Sequence, residues 1–415
     1  MVVANDLARC VSAPRLLRLL AELARFGARE DGGVNRQALS AADIDARAFL
    51  AGYARSLGCT VTRDAAGNMF FRRAGSTSNA PIATGSHIDT QPAGGKLDGA
   101  YGVCAGLEAL AAYNDAGLRT QCPIEIIVWA NEEGCRFTPG SLGSKAFVEP
   151  HLLEQLIATR DSTGTSYADC LAQVDLRLAD VPLVPLGSQI GLFIEAHIEQ
   201  GPVLEASGIP IGIVTGVQGV RWFRVTAMGQ AAHAGTTPLR YRRDALRAVS
   251  PLMEQLYAAA ERSPELRVTI GKVDVQPSSI NTVPSEAVVT IDVRHVERQQ
   301  LDEIETIIRN HCAESRFGCE LTLQQLMALE TTHFDPAMAD TLRRAAQSLG
   351  LESIDMISGA FHDSVNLARH CPTAMVFVPS RSGISHNPDE HTDPELLVAG
   401  TRVLAKALAE HAGIT

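Results

Sequence analysis

Five short segments of the chain carry residue types that can hold metal ions and move protons. The first is Gly85-Ser86-His87-Ile88-Asp89. A neutral imidazole ligates first-row divalent metals. A carboxylate two residues on can accept the other ring N–H and fix the tautomer, so Asp89 is a candidate support for His87. The second runs from Gly94 to Gly102 around Asp98. Its glycines let backbone approach a site closely, and the two oxygens of Asp98 can bridge two cations. The third is Trp129-Ala130-Asn131-Glu132-Glu133-Gly134. Adjacent carboxylates at the end of an apolar strand are costly unless paired or metal-bound. One can ligate while the other serves as general base on water. Neighbours in a regular strand point to opposite faces, so this division requires a bend, expected at Gly134. The fourth and fifth segments set His197 within Glu195–Pro202 and His386 within Ser385–Glu390.

Each segment alone has a plainer reading: a polar loop, a Gly-rich turn with Asp98 as helix N-cap, a solvated loop start, or a structural histidine. Together they supply three histidines, one glutamate and one aspartate, each after a strand-like run. Two tetrahedral-type sites that share one carboxylate need five protein ligands and a shared water. The count matches a dinuclear centre, in which two metals activate water and polarise a carbonyl.

The elements that would position these groups follow from periodicity. Leu16, Leu17, Leu20, Leu23 and Phe26 recur at helical spacing. Residues 81–87, 123–130 and 191–197 are apolar or β-branched runs and predict buried strands, with a helix over 101–113. Strands alternating with helices predict an α/β fold with a mixed, largely parallel sheet. Ligands bind beyond the carboxyl ends of such strands, where His87, Glu132 with Glu133, and His197 lie. The middle of the chain differs. Strands are predicted at 220–228, 266–275, 287–294 and 320–329. A helix is predicted over 238–262, with Thr236 or Thr237 as N-cap and Pro238 in its first turn, and another over 301–312. Val289, Ile291 and Val293 should share one face of their strand, and Thr290, Asp292 and Arg294 the other. The order βαββαβ is ferredoxin-like. It predicts residues 1–216 and 330–415 as one catalytic domain and 217–329 as an inserted one. The α/β pattern resumes with a helix from Pro336, a strand at 373–378 and a helix from Pro394.

Composition narrows the partners. Lys and Arg number 36 against 47 Asp and Glu, a net charge of −11, which disfavours nucleic acid and anionic membrane. No run of about 18 apolar residues predicts a span. The first six residues lack a basic stretch leading into an apolar one, so no signal peptide is expected. The nine cysteines are scattered singly, as suits free thiols in a reducing cytoplasm.

The segments GSHIDT, GGKLDGAYGVCAGLEAL, ANEEGCRF, EAHIEQGPVLE, AAHAGTTP, INTVPSEAVVTIDVRH and SRSGISHNPDE resemble the amidase, hydantoinase/carbamoylase family, a branch of the M20 metallopeptidase-like clan. The resemblance runs from about residue 15 to 413 and implies an enzyme with two divalent metal ions per subunit, Zn or Mn, with Co or Ni accepted by the same ligands. It implies His87 and His197 on one metal, Glu133 and His386 on the other, Asp98 bridging and Glu132 as general base. A histidine at 197 points to this branch, since related peptidases typically place a carboxylate there. The inserted domain would be a dimerisation lid forming a homodimer, with His233 reaching the partner's active site to steady an oxyanion. Arg221, Asn281 and Arg294, with Gln200 and His362, would contact a small anionic ureido substrate. An N-carbamoyl-L-amino acid is the leading substrate, ahead of allantoate and ureidopropionate, with a silent ureido- or amino-acid-binding protein as the remote alternative. Phe361 stands where many relatives have glycine, and its ring is expected to narrow or reshape the pocket.

Overall fold

The computed structural model describes residues 7–414. The expectation about Met1–Asp6 lies outside them. The chain divides into two compact units, Val217–Thr332 and the segments either side of it.

The larger unit starts with helices α1 (Ala13–Leu23) and α2 (Ala41–Ser56). Strands β1 (Thr60–Arg63), β2 (Met69–Arg73) and β3 (Ile82–His87) follow, then α3 (Ala100–Asp115), β4 (Ile124–Trp129), β5 (Leu192–Ile198) and β6 (Ile211–Val217). The second unit contributes β7 (Gly219–Met228), α4 (Ala245–Arg262), β8 (Arg267–Gln276), β9 (Glu286–His295), α5 (Arg298–Cys312) and β10 (Glu320–Leu329). The larger unit resumes with α6 (Pro336–Ser348), β11 (Ser353–Ser358), β12 (Thr373–Val378) and α7 (Pro394–Ala412).

The main sheet runs β1-β2-β4-β3-β5-β12-β6, with β11 also on β6. Its centre is parallel: β3 with β4, β3 with β5, and β5 with β12. These four strands are buried along their whole length, because helices such as α3 and α7 cover them. That is why they read as apolar runs rather than alternating ones. The β1–β2 hairpin and α2 extend the unit beyond the elements legible in the sequence.

Two boundaries differ from expectation. Helix α1 stops at Leu23, so Phe26 is not on it. The buried guanidinium of Arg36 takes the carbonyls of Leu23 and Phe26 at 2.9 Å each, and the chain turns there. Phe26 packs instead on the ring of Phe49. Helix α4 starts at Ala245, not near Pro238, and Asp244 caps it by accepting from the Arg247 N–H at 3.1 Å. Arg242 donates to the carbonyls of Thr237 and Ala234. Those bonds close residues 234–242 into a loop with one 3-10 turn at Leu239–Tyr241, and Pro238 belongs to that loop.

The second unit has sheet order β10-β7-β9-β8, fully antiparallel, with both helices on one face, a ferredoxin-like arrangement. Val289, Ile291 and Val293 join Phe223 and Val225 against Leu252, Leu256, Leu301 and Ile304. Each such full burial is worth about 1.5–3 kcal/mol. Among the described residues no helix is long and apolar enough to cross a membrane. All nine cysteines are free thiols.

Candidate metal centre

Strand register brings the chemistry to one edge. β3 ends on His87, which pairs with Trp129 of β4. Thr84 lies beside Ile194 of β5, so His197 arrives at the same carboxyl edge, the ligand-binding edge of parallel sheets.

Both imidazoles have a fixed tautomer. His87 Nδ1 donates to the main-chain carbonyl of Asp89 at 2.9 Å, and His197 Nδ1 to that of Ile198 at 2.8 Å. A carbonyl only accepts, so Nδ1 carries a proton in each ring, and in the neutral imidazole Nε2 is the nitrogen whose lone pair is left for a metal. The expected support for His87 therefore comes from the backbone of Asp89 and not its carboxylate, which stands 3.8 Å off. That carboxylate does another job. Its two oxygens accept the N–H groups of Glu132 and Glu133, each at 3.2 Å. The bend that separates the two glutamates starts one residue before them, at Asn131 (φ 56°), and continues through Gly134 (φ 66°). Asn131 Nδ2 holds it by donating to Phe137 and Pro139.

Asp98 lies between the other groups. It does not cap α3, whose N-cap is Gly99 without a side-chain bond. Its Oδ1 is 3.2 Å from His197 Nε2 and 3.7 Å from His87 Nε2. Its Oδ2 is 3.1 Å from His386 Nε2, which is also 3.4 Å from Glu133 Oε2. The atoms of His87, Asp98 and His197 lie within 4.8 Å of one another, as do those of Asp98, Glu133 and His386. The two groups share Asp98. Gly99 permits the close approach. It has φ +62°, and a Cβ there would meet His87 Nε2 at 2.4 Å.

The electrostatics are those of a pocket that favours cations. Burial pushes the Asp98 carboxyl up, but its bonds to His197, His386 and His87 outweigh this and hold it well below the usual range. Burial also pushes Glu132 well above its ordinary value, against the pull of His87. Glu133 rises to about 7 through burial and the neighbouring Asp98. His386 rises to about 9, chiefly through its bond to Asp98. Nitrogen and carboxylate donors so converged suit first-row divalent cations, which would compete with protons for the same lone pairs.

Several supporting groups had no clear signal in the sequence. Gln91 donates to both Glu133 oxygens, from its N–H at 3.0 Å and its amide at 2.7 Å. Glu195, grouped with His197 and His362 by proximity, accepts from Ser86 Oγ at 2.6 Å and from the N–H and hydroxyl of Ser364. Gln200, expected at the substrate, donates its amide to Asp98 Oδ2 at 2.9 Å and to Ser385 Oγ at 3.2 Å. His362, with the same expectation, is buried, its Nε2 is 2.9 Å from Ser358 Oγ, and its ring stands edge-on to His197 at 4.7 Å. Phe361, just before it, is half-buried.

The remaining assigned residues belong to the second unit. His233 is exposed and pairs with Thr282 in a short ladder. The adjacent Asn281 accepts the Ala234 N–H on its carbonyl. His233 Nδ1 accepts from the N–H groups of Gly235 and Thr236 at 3.0 and 3.2 Å, so its proton is on Nε2. Arg294 pairs with Asp292, Nη2 to Oδ2 at 2.9 Å. Arg221 is buried and donates to Glu330 and the Leu329 carbonyl.

The fold and the shared donor groups define a class. Residues 83–410 match Peptidase family M20/M25/M40, and the chain belongs to it. Within that class it is a member of the amidase, hydantoinase/carbamoylase family. It is 37% identical to an N-carbamoyl-L-amino-acid amidohydrolase of Rhizobium meliloti, over 98% of each chain. It is 34% identical to an allantoate amidohydrolase of Bacillus subtilis, over 93% of this chain and 94% of that one. A crystal structure of an amidase of the hydantoinase/carbamoylase family from Burkholderia multivorans superposes with a TM-score of 0.91 at 40% identity, covering 97% of this chain and 98% of the other. Family and donor groups together indicate dependence on divalent metal.

Proposed function

We propose that the protein is a cytoplasmic amidohydrolase that cleaves the linear amide C–N bond of a ureido compound, in first place an N-carbamoyl-L-amino acid. The observation that carries this is Asp98, whose two oxygens face separate donor pairs. In this reading two divalent ions, Zn or Mn with Co or Ni as substitutes, would be held by His87 with His197 and by Glu133 with His386, with Asp98 common to both. Bound there, they would lower the pKa of water and polarise the scissile carbonyl.

The chain's own groups do the rest. Glu132 takes a proton from the attacking water and hands it to the leaving amine. Its burial, which raises its hold on a proton, suits both duties. His233 acts in trans within a homodimer formed through the inserted unit. Its Nε2–H is turned outward from a closed Nδ1 turn, the form needed to donate to a developing oxyanion. Arg294, on the polar face of β9, recognises the substrate carboxylate with two parallel bonds. Arg221 and Asn281 complete that set from the second unit. Gln200 contributes next to Asp98 and His362 next to His197. A local arginine is needed because the −11 chain opposes anions at long range.

The second reading is allantoate as substrate, supported by the Bacillus subtilis relative. Ammonia release over a panel of N-carbamoyl-L-amino acids, allantoate and 3-ureidopropionate decides between them. The expected outcome is highest kcat/KM on an N-carbamoyl-L-amino acid. A preference for allantoate of tenfold or more moves the assignment to the second reading, and no release from any member contradicts both.

A further inference from the structure

Glu390 is buried under the Asp98 loop and takes no part in the chemistry above. Its Oε1 accepts the main-chain N–H groups of Leu97 at 2.9 Å and Asp98 at 3.1 Å. Its Oε2 accepts from Ser385 Oγ at 2.9 Å. Ser385 immediately precedes His386, and its hydroxyl also lies 3.4 Å from Asp98 Oδ2. One carboxylate therefore ties together two loops that are distant in sequence, each carrying a proposed ligand of the second donor group. The chain makes room for it. A Cβ on Gly95 would meet Glu390 Oε1 at 2.1 Å, so no side chain fits where the loop crosses the carboxylate.

We infer that Glu390 is a positioning residue that locks the Asp98 loop to the His386 loop and so sets the separation across the Asp98–Glu133–His386 group. The inference rests on the proposed reading of that group as a metal site. Geometry, not charge, is the operative property. A glutamine at 390 keeps an oxygen for both N–H groups and offers its amide to Ser385 Oγ, whereas alanine leaves two buried N–H groups without acceptors.

The test is competition titration of the metal-free full-length protein with Mn²⁺ and Zn²⁺ against a chelator, with the thermal midpoint of each metal-free protein recorded in parallel. Glu390→Ala should lose about 10–100-fold in affinity for the more weakly held ion, the usual effect of removing a group that orients a ligand. Glu390→Gln should stay within about threefold of wild type, a rescue that mere loss of folding would not show. Ser385→Ala leaves the Leu97 and Asp98 bonds intact and keeps the test available if Glu390→Ala fails to fold. Its expected loss is about tenfold, at the lower end of the same range. Two ions bound by wild type with unchanged affinity in Glu390→Ala, or in Ser385→Ala where Glu390→Ala does not fold, overturn this inference alone, as does a Glu390→Gln protein as weak as Glu390→Ala. A wild-type protein that binds no divalent ion overturns the functional reading as well.

Discussion

Asp89→Asn should slow turnover while leaving the metals bound. The carboxylate spends one oxygen on the Glu132 N–H and the other on the Glu133 N–H, each at 3.2 Å. An asparagine can accept only one of these and turns an NH2 toward the other. A hydrogen bond to a charged acceptor is worth about 1.5–3 kcal/mol. At about 1.36 kcal/mol per tenfold in rate, that corresponds to a loss of roughly 10–150-fold in kcat. The two glutamates are not equally exposed to the loss. Gln91 holds the Glu133 side chain through two further bonds, whereas Glu132 depends on the turn itself. His87 is unaffected, because its Nδ1 donates to the main-chain carbonyl that asparagine retains. The assay is ammonia release at saturating substrate, with metal content measured on the same preparation. A kcat within threefold of wild type would refute the clamp. Loss of metal with normal turnover per bound ion would also refute it, and would return the carboxylate to the role of a His87 partner.

Two other perturbations test the surrounding geometry. Gly99→Ala should abolish tight metal binding, since its Cβ would fall 2.4 Å from His87 Nε2 at a backbone φ of +62°; calorimetric titration with Zn²⁺ that matches wild type would contradict the placement. His233→Ala should be inactive alone but regain activity when mixed with Glu132→Gln, because heterodimers assemble some intact sites; no recovery in verified heterodimers would argue against action in trans.

Much of the positioning frame was legible because it depends on local pattern. The runs at 82–87, 124–129, 192–198 and 373–378 are buried on both faces, and burial on both sides of a parallel strand favours the mostly apolar composition they show. The ends of these strands carry His87 and His197, so two of the five proposed ligands followed from strand placement. The rest depends on contacts no window contains. Glu390 and Leu97 are 293 residues apart, and nothing near either marks the other. Asp89 was legible as a support but not in its role, because the His-x-Asp spacing brings both a carbonyl and a carboxylate within reach of the ring. The start of α4 departs from the local pattern for a chemical reason. Pro238 after threonines has the makeup of a first turn, but the Arg242 guanidinium captures the carbonyls of Ala234 and Thr237 and keeps that stretch a loop.

The central claim is that two cations are held by His87, Asp98, Glu133, His197 and His386 while Glu132 alone moves the proton. Glu132→Gln tests it most directly, with metal stoichiometry and turnover measured on one sample. The expected result is two divalent ions per chain, as in wild type, and turnover reduced by at least about 10²–10⁴-fold, the usual contribution of a general base. Near wild-type turnover with both metals bound would contradict the account.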